Sequence, residues 1–150
     1  MNITALSGDE LPEVIALLEA NGLPTSDLSP DVRLLGVRDS LGLEGVVGIE
    51  ARGEVGLLRS LAVRSDRRAS GLGSALVLEI EQLAAAEGIS ELYLLTTTAE
   101  GFFSHRGYSL LQRESAPGAI RSTSEFMNVC PASATFMRKV LGRPEAAAHP

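Results

Sequence analysis

One short stretch of the chain combines positive charge with glycine, the two features that proteins use to bind anions. Between residues 59 and 68 there is a single acidic residue, Asp66, against four arginines, which are Arg59, Arg64, Arg67 and Arg68. Gly71 and Gly73 follow, and glycine lets the main chain approach a phosphate closely because it has no Cβ. A helical pattern then begins, and the start of a helix offers N–H groups and a partial positive charge. We therefore predict an anion-binding loop.

The same residues have a simpler interpretation, in which the glycines only loosen a helix start and the arginines form a solvated rim. Two well-known phosphate loops do not fit the pattern. Leu76 occupies the position at which the dinucleotide-binding fingerprint requires glycine or alanine, and the chain has no GK[ST] sequence for a nucleotide P-loop. The loop sequence alone therefore does not identify the anion.

The composition is that of a globular protein with an acidic balance. The chain has 150 residues, 45% of them hydrophobic, and a formal net charge of −6 at pH 7. Nucleic acids and anionic membranes need a broad basic surface, so we expect neither as a partner. Cys130 is the only cysteine, which excludes a disulfide within the chain. Since we find no signal-peptide pattern and no apolar run near the roughly 20 residues of a membrane span, we expect a cytoplasmic protein.

The elements that must position the loop follow from apolar periodicity and turn residues. Helical spacing predicts helices over 7–22 and 72–87 and a short helix over 99–107. Apolar and β-branched runs bounded by turn residues predict six strands. These strands are 33–39, 43–51, 54–63, 91–98, 108–113 and 133–141.

This order of elements predicts an α/β (α+β) fold with one mixed, mostly antiparallel central sheet flanked by helices. Short connections favour an antiparallel meander for the first three strands. The helix over 72–87 is a crossover connection, so the strand over 91–98 should run parallel to the strand over 54–63. We expect a single domain over residues 1–142 and a disordered tail over 143–150.

Two stretches resemble motifs of the GCN5-related N-acetyltransferases (GNAT). "LRSLAVRSDRRASGLGSAL", residues 58–76, resembles motif A, whose core [RQ]xxGx[GA] is here Arg68–Gly73. "AEGFFSHRGY", residues 99–108, resembles the later AxxFYxxxGF element. The succession of elements matches the family from about residue 3 to residue 141. Ser65, where proline is common, and Ala69, where glycine is common, depart from the pattern without removing an N–H donor.

The resemblance implies that the anion is acetyl-CoA, used as a cosubstrate without a metal. It implies that main-chain N–H groups hold the pyrophosphate, that the end of the preceding strand pairs with the pantetheine arm, and that Arg64 or Arg67 reaches the remaining phosphate. The cofactor-binding residues implied in this way are Leu61, Ala62, Val63, Arg68, Ala69, Ser70, Gly71, Leu72, Gly73 and Ser74.

Acetyl transfer to an amine requires a base for the ammonium group, N–H donors for the oxyanion and stabilisation of the departing thiolate. Glu50 is the candidate base, with Glu54 as its rival. The family pattern implies that a main-chain N–H near Leu61 is the oxyanion donor. Phe103 stands where many members have a tyrosine that serves the thiolate, so Ser104, a water molecule or the helix N-terminus must take that role.

"APGAIRSTSEFMNVCPASATFM", residues 116–137, resembles the "PxxIRxTxEFxxxCPASAxxM" ending of a bacterial subgroup. The subgroup includes N-acetyltransferases of arsenic-resistance operons and short amino-acid acetyltransferases similar to N-acetylglutamate synthase. The resemblance implies a small amino-acid acceptor, either glutamate-like or an organoarsenical or phosphinic analogue. Arg59 and Arg121 are candidates for its carboxylate, unless both pair with nearby surface carboxylates. Strand alternation puts Arg59 on the face of Leu57 and Leu61, unless a bulge intervenes.

The main hypothesis is an N-acetyltransferase that acts by direct transfer in a ternary complex, with a homodimer paired through the C-terminal strands as one arrangement. The alternative is a non-catalytic acyl-CoA-binding sensor or regulatory domain. Phe103, which lacks the tyrosine hydroxyl, favours this alternative, whereas the candidate base Glu50 argues against it. Acetylation of proteins or polyamines is disfavoured, because polyamines prefer an acidic cleft and no peptide groove is indicated. We expect Cys130 to pack as a small apolar group and His105 to face solvent.

Overall fold

The computed structural model describes residues 2–23, 25, 28, 31–123, 126 and 134–141. Within these residues there are seven strands and four α-helices. The strands are β1 (Thr4–Ala5), β2 (Val32–Asp39), β3 (Gly42–Arg52), β4 (Val55–Val63), β5 (Glu91–Thr96), β6 (Ser109–Leu110) and β7 (Thr135–Val140). The helices are α1 (Leu11–Ala20), α2 (Leu72–Ala86), α3 (Glu100–Ser104) and α4 (Gly118–Arg121).

The strands form one sheet in the order β1-β2-β3-β4-β5-β7-β6. β2 pairs antiparallel with β1 and β3, and β7 pairs antiparallel with β5 and β6. β4 and β5 run parallel over three residue pairs, and the last of these joins Leu57 to Tyr93. The mixed, mostly antiparallel sheet predicted from the sequence is confirmed, as is its parallel pair.

The short elements differ from the prediction. β1 was not predicted, β6 has two residues where a strand over 108–113 was expected, and α4 lies within a stretch expected to be a loop. Elements of two to four residues carry too few positions for an apolar period to be recognised. The first helix begins later than predicted, at Leu11, after a 3-10 turn in which the Ser7 N–H donates to the Glu10 carboxylate at 3.0 Å.

The chain divides into two compact units. The first unit comprises residues 1–50 and 58–82, and the second comprises residues 51–57 and 83–150. The single domain expected over residues 1–142 stays a prediction.

Each unit has its own apolar cluster. In the first unit α1 packs on β3 and β4 through Val14, Leu18, Leu43, Val46 and Ala62. The second unit has a cluster of Leu57, Tyr93, Ala116, Ile120 and Phe136. Each large side chain buried in this way stabilises the fold by about 1.5–3 kcal/mol relative to its exposed state. The first cluster holds β3 and β4, the strands that carry Glu50, Arg59 and Leu61–Val63.

Candidate active site

The predicted anion-binding loop runs from a 3-10 turn, Ser65–Arg67, to the start of α2. Two of its residues have left-handed backbone, Ala69 with φ 65° and Gly71 with φ 87°. A Cβ added at Gly71 would meet no heavy atom within 4 Å, so the space beside this residue is open. The Ala75 N–H donates to the Gly71 carbonyl at 3.1 Å and the Leu72 N–H to Ser70 Oγ at 3.4 Å, and the first-turn N–H groups lie at the end of α2 that follows the loop. The backbone can therefore present donors to an anion.

Three of the four arginines are held by carboxylates, Arg59 by Glu50 within the strands and Arg64 and Arg67 beside the loop. Both terminal nitrogens of Arg64 donate to the Asp39 carboxylate, at 3.0 and 2.5 Å, and its Nε donates to Asp66 at 2.6 Å. Arg67 donates to Glu44 at 2.8 Å and contacts Asp39 at 3.4 Å. The hydrogen bonds from Arg64 are the main reason why the pKa of the Asp39 carboxyl lies well below its usual range. Most of the positive charge that the sequence gathers here is therefore neutralised.

Arg68 has a different partner. Its guanidinium donates to a neutral amide oxygen, Asn21 Oδ1, at 2.7 Å, and none of the carboxylates in the described ranges pairs with it. The Asn21 amide in turn donates to the Leu17 carbonyl of α1 at 2.9 Å. The sequence analysis missed both Asn21 and Asp39, because these contacts join residues 47 and 25 positions apart. No local pattern signals contacts over such separations.

β4 is irregular at Ser60, whose φ of 59° lies in the left-handed region. A left-handed residue within a strand interrupts the alternation of side chains, as a bulge does. The alternation that would put Arg59 on the face of Leu57 and Leu61 therefore does not extend through this point. The last three residues of β4, Leu61–Val63, follow the irregularity, and the ladder with β5 ends before them at Leu57.

Glu50 and Arg59 form a buried ion pair. Arg59 Nη1 donates to Glu50 Oε1 at 2.7 Å, and the two side chains are 0% and 6% exposed, respectively. Arg59 Nε donates to Ser60 Oγ at 3.2 Å. The structure thus brings together two residues to which the sequence analysis gave separate roles. Glu54, the rival base, is exposed in the turn between β3 and β4.

In the second unit, Phe103 is buried in an aromatic group within and after α3. Its ring packs edge-on against Phe102 and Tyr108, with centroid distances of 5.1 and 5.4 Å. Ser104, the predicted alternative to the family's tyrosine, ends α3 and is exposed. His105 is also exposed, as expected. The aromatic group therefore packs the position at which the family pattern often has a hydroxyl.

Arg121 ends α4, with its side chain at the surface. Ile120 beside it is buried, and the Thr123 hydroxyl donates to the Ile120 carbonyl at 2.7 Å and accepts the Phe126 N–H at 3.3 Å. These contacts fix the segment, and Arg121 itself is exposed. Cys130 and the other motif residues at 124, 125, 127–129 and 131–133 lie outside the described residues.

The parts of the chain that the structure describes contain no group of three His, Cys, Asp or Glu side chains able to hold a metal ion. None of the helices in these parts has the length and apolar character of a membrane span. Ser104 and Arg121 belong to the second unit, whereas Glu50, Arg59 and the anion-binding loop belong to the first.

Comparison with known families gives one match over just over half of the chain, in which the acetyltransferase (GNAT) domain covers residues 32–110. An uncharacterized N-acetyltransferase of Chlorobaculum tepidum is 38% identical over 63 residues, which are 42% of this chain and 40% of the relative. An amino-acid acetyltransferase of Ectopseudomonas mendocina is 38% identical over 69 residues, which are 46% of this chain and 16% of the relative.

Among solved structures, N-acetylglutamate synthase from Neisseria gonorrhoeae, complexed with coenzyme A and L-arginine, superposes with a TM-score of 0.77 and 21% identity. The superposition covers 95% of this chain and 33% of the synthase. At this identity the likeness concerns the fold. The chain spans less than half the length of each of these three relatives.

Proposed function

Because this chain belongs to the GNAT acetyltransferase family, we propose that it transfers the acetyl group of acetyl-CoA to the amino group of a small amino acid or amino-acid analogue. The observation that carries the proposal is the loop before α2, where left-handed backbone at Ala69 and Gly71 meets open space and a helix N-terminus. Phosphates are bound by converging main-chain N–H groups and positive charge. Residues 68–74 accordingly hold the pyrophosphate of acetyl-CoA.

Arg68 is the arginine that we assign to a phosphate. Arg64 and Arg67 already donate to three carboxylates, and moving them would leave those carboxylates without their partners. Arg68 would exchange an amide oxygen for a charged phosphate oxygen, which is the stronger acceptor. This assignment replaces the expectation that Arg64 or Arg67 reaches the remaining phosphate.

The end of β4 is the segment that binds the pantetheine arm and the thioester of acetyl-CoA. Main-chain groups of Leu61, Ala62 and Val63 hydrogen-bond to the pantetheine arm, and the Leu61 N–H donates to the thioester oxygen as it becomes an oxyanion. The β4–β5 ladder ends at Leu57, so it does not use the main-chain groups of this segment.

Glu50 acts as the base, directly or through water, and removes a proton from the acceptor's ammonium group. The amine nitrogen attacks the thioester carbonyl carbon, and the C–S bond breaks as the amide C–N bond forms. Coenzyme A leaves as a thiolate and takes up a proton. Ser104 is the side-chain candidate for donating that proton, with water as the alternative, because Phe103 has no hydroxyl.

An amino-acid acceptor needs a cation for its carboxylate. Arg121, at the surface of α4, is the first candidate, and Arg59 is the second although Glu50 already occupies one of its terminal nitrogens. The name of the Ectopseudomonas relative supports the amino-acid class. The C-terminal motif favours a glutamate-like acceptor or an organoarsenical or phosphinic analogue. A cytoplasmic location and a homodimer paired through the C-terminal strands complete the proposal.

A thiol-release assay with acetyl-CoA tests the proposal. The acceptor panel contains the amino acids, their decarboxylated amines, polyamines, and phosphinic and arsinic analogues of glutamate. We expect release with one class of amino acid and little with the corresponding decarboxylated amines. Glu50→Gln should lower turnover by about 10².

One observation favours a second candidate function, a non-catalytic acyl-CoA sensor. Phe103 lies buried against Phe102 and Tyr108, so that part of α3 offers no phenolic hydroxyl to a thiolate. If calorimetry detects coenzyme A binding while no acceptor in the panel releases thiol, the sensor function replaces the transferase.

A further inference from the structure

We propose that Arg59 and Ser60 are positioning residues for Glu50, so that the Arg59 guanidinium orients the base instead of binding the acceptor's carboxylate. The inference rests on the proposed acetyl transfer and assigns roles to two residues at its centre. It changes the role of Arg59 and gives Ser60 a role for the first time.

The guanidinium of Arg59 is fixed from two sides. Nη1 donates to Glu50 Oε1 at 2.7 Å, and Nε donates to Ser60 Oγ at 3.2 Å. Because a guanidinium group is planar and rigid, two contacts at different nitrogens determine its plane. That plane in turn determines the direction from which the Glu50 carboxylate is held.

The burial of Arg59 argues against direct contact with an acceptor. Its side chain has no exposed surface, so an amino acid arriving from solvent would have to displace the neighbours of Arg59 before reaching it. Arg121, by contrast, is exposed. The two arginines predicted to bind the carboxylate therefore differ in access, and only Arg121 is open to solvent.

Packing alone does not explain the ion pair. Burying two charges costs desolvation energy that their attraction often fails to recover, and well-packed apolar side chains can frequently replace such a pair without loss of stability. Val32, which lies directly opposite Glu50 in the β2–β3 ladder and therefore shares its face of the sheet, is apolar and 7% exposed. An apolar pair would suit this environment, so the charges point to a function.

Ser60 supports the same interpretation. A non-glycine residue with φ 59° has an unfavourable backbone conformation, which glycine would relieve. Glycine would also remove the Oγ that accepts from Arg59. Serine at this strained position, in contact with a buried arginine, indicates that the hydroxyl contact matters.

Steady-state kinetics of Arg59→Lys, Ser60→Ala and Ser60→Gly test the proposal, with Arg38→Lys as the matched control at an exposed ion pair. Lysine keeps the positive charge of Arg59 but lacks the planar guanidinium group with its several N–H donors. We expect kcat to fall about tenfold for Arg59→Lys, while the KM for the acceptor changes by less than about threefold. Both Ser60 variants should lower kcat by a smaller factor. In a Glu50→Gln background Arg59→Lys should have no further effect on kcat, because Arg59 acts through Glu50.

Two kinetic results would overturn the proposal. If Arg59→Lys raises the KM for the acceptor about tenfold, leaves kcat unchanged and abolishes the preference for amino acids over decarboxylated amines, Arg59 binds the substrate. If kcat and KM stay at wild-type values and only the Tm falls, the pair is structural. A wild-type kcat in Ser60→Gly would remove Ser60 from the proposal.

A spectroscopic measurement separates this inference from the proposed function. The ¹³C signal of the Glu50 side-chain carboxyl, assigned by its loss in Glu50→Gln, should move in Arg59→Lys and Ser60→Ala and stay in place in Arg38→Lys. Absence of thiol release by the wild-type protein would refute the transferase. A Glu50 carboxyl signal whose chemical shift is unchanged in Arg59→Lys would refute the positioning role, whether or not the protein catalyses acetyl transfer.

Discussion

Asp39, the last residue of β2, accepts hydrogen bonds from both terminal nitrogens of Arg64, the residue that follows β4, at 2.5 and 3.0 Å. The main-chain N–H of Arg64 also donates to the carbonyl of Glu44 in β3 at 2.7 Å. The segment that leads into the anion-binding loop is therefore tied to the β2–β3 hairpin by a bidentate ion pair and a main-chain hydrogen bond. Asp39 thus helps to fix where the loop begins.

Asp39→Asn should weaken acetyl-CoA binding without changing the chemical step. Loss of the ion pair frees the backbone at Arg64, so the donors of residues 68–74 lose part of their alignment. We expect the KM for acetyl-CoA to rise about three- to tenfold at unchanged kcat, measured by thiol release. Asp9→Asn, at an exposed aspartate, is the control. A lower KM in Asp39→Asn would contradict this prediction and show that repulsion of the phosphates by Asp39 outweighs its positioning effect.

The Asp39 and Asp66 carboxylates predict how the stability of the folded protein depends on pH. Hydrogen bonds from Arg64 are the largest cause that lowers the pKa of both Asp39 and Asp66 from its usual value of 3.8. The folded protein then binds fewer protons than the unfolded chain, so this stabilisation is complete above pH 3.8 and is lost as the pH falls through the folded-state values. The difference in Tm between wild type and Asp39→Asn should narrow steadily below about pH 4. A constant difference in this range would mean that Asp39 stabilises by packing.

Ala69→Gly should stabilise the protein. Alanine at φ 65° is unfavourable because its Cβ approaches the following carbonyl oxygen, and glycine removes that contact. We expect a gain of about 1 kcal/mol in the free energy of unfolding, measured with urea. Ala75→Gly, in the first turn of α2, is the matched control and should lose about 0.5–1 kcal/mol. Equal losses in both variants would show that Ala69 is not strained.

Gly71→Ala and Gly88→Ala form a matched pair that isolates the ligand site. Both glycines have φ 87°, and an added Cβ would meet no heavy atom within 4 Å at either position. Both variants should therefore lose about 1–2 kcal/mol of stability through backbone strain. Only Gly71→Ala should also weaken coenzyme A binding, by about tenfold or more in calorimetry, because its Cβ enters the space assigned to the pyrophosphate. Equal affinity of the two variants for coenzyme A would show that the cofactor does not bind at this loop.

The sheet could be predicted from the sequence because its long strands and the crossover helix repeat apolar residues over many positions. β3, β4 and α2 each have at least nine residues, which is enough for a period to emerge. β1, β6 and α4 have two to four residues and depend on tertiary contacts, such as the Leu6 N–H donating to the Leu34 carbonyl beside β1. Such contacts have no local signature.

The candidate site could be predicted in part. The position of the loop followed from Gly71 and the helix that begins beside it, since both are local features. The partners of the arginines did not follow, because Arg64 meets Asp39 and Arg59 meets Glu50 only after the strands are paired. An excess of arginine in the sequence therefore overstated the positive charge of the folded loop.

If a phosphate of acetyl-CoA binds Arg68, as we propose, the hydrogen bond between Arg68 and Asn21 links cofactor binding to the residue that follows α1. A phosphate that draws Arg68 away leaves the Asn21 side chain with its contact to Leu17, so the amide resonance of Asn21 becomes a native reporter of nucleotide binding. Arrival of the cosubstrate can thus be followed without a label on the ligand, at a residue far from the loop in sequence.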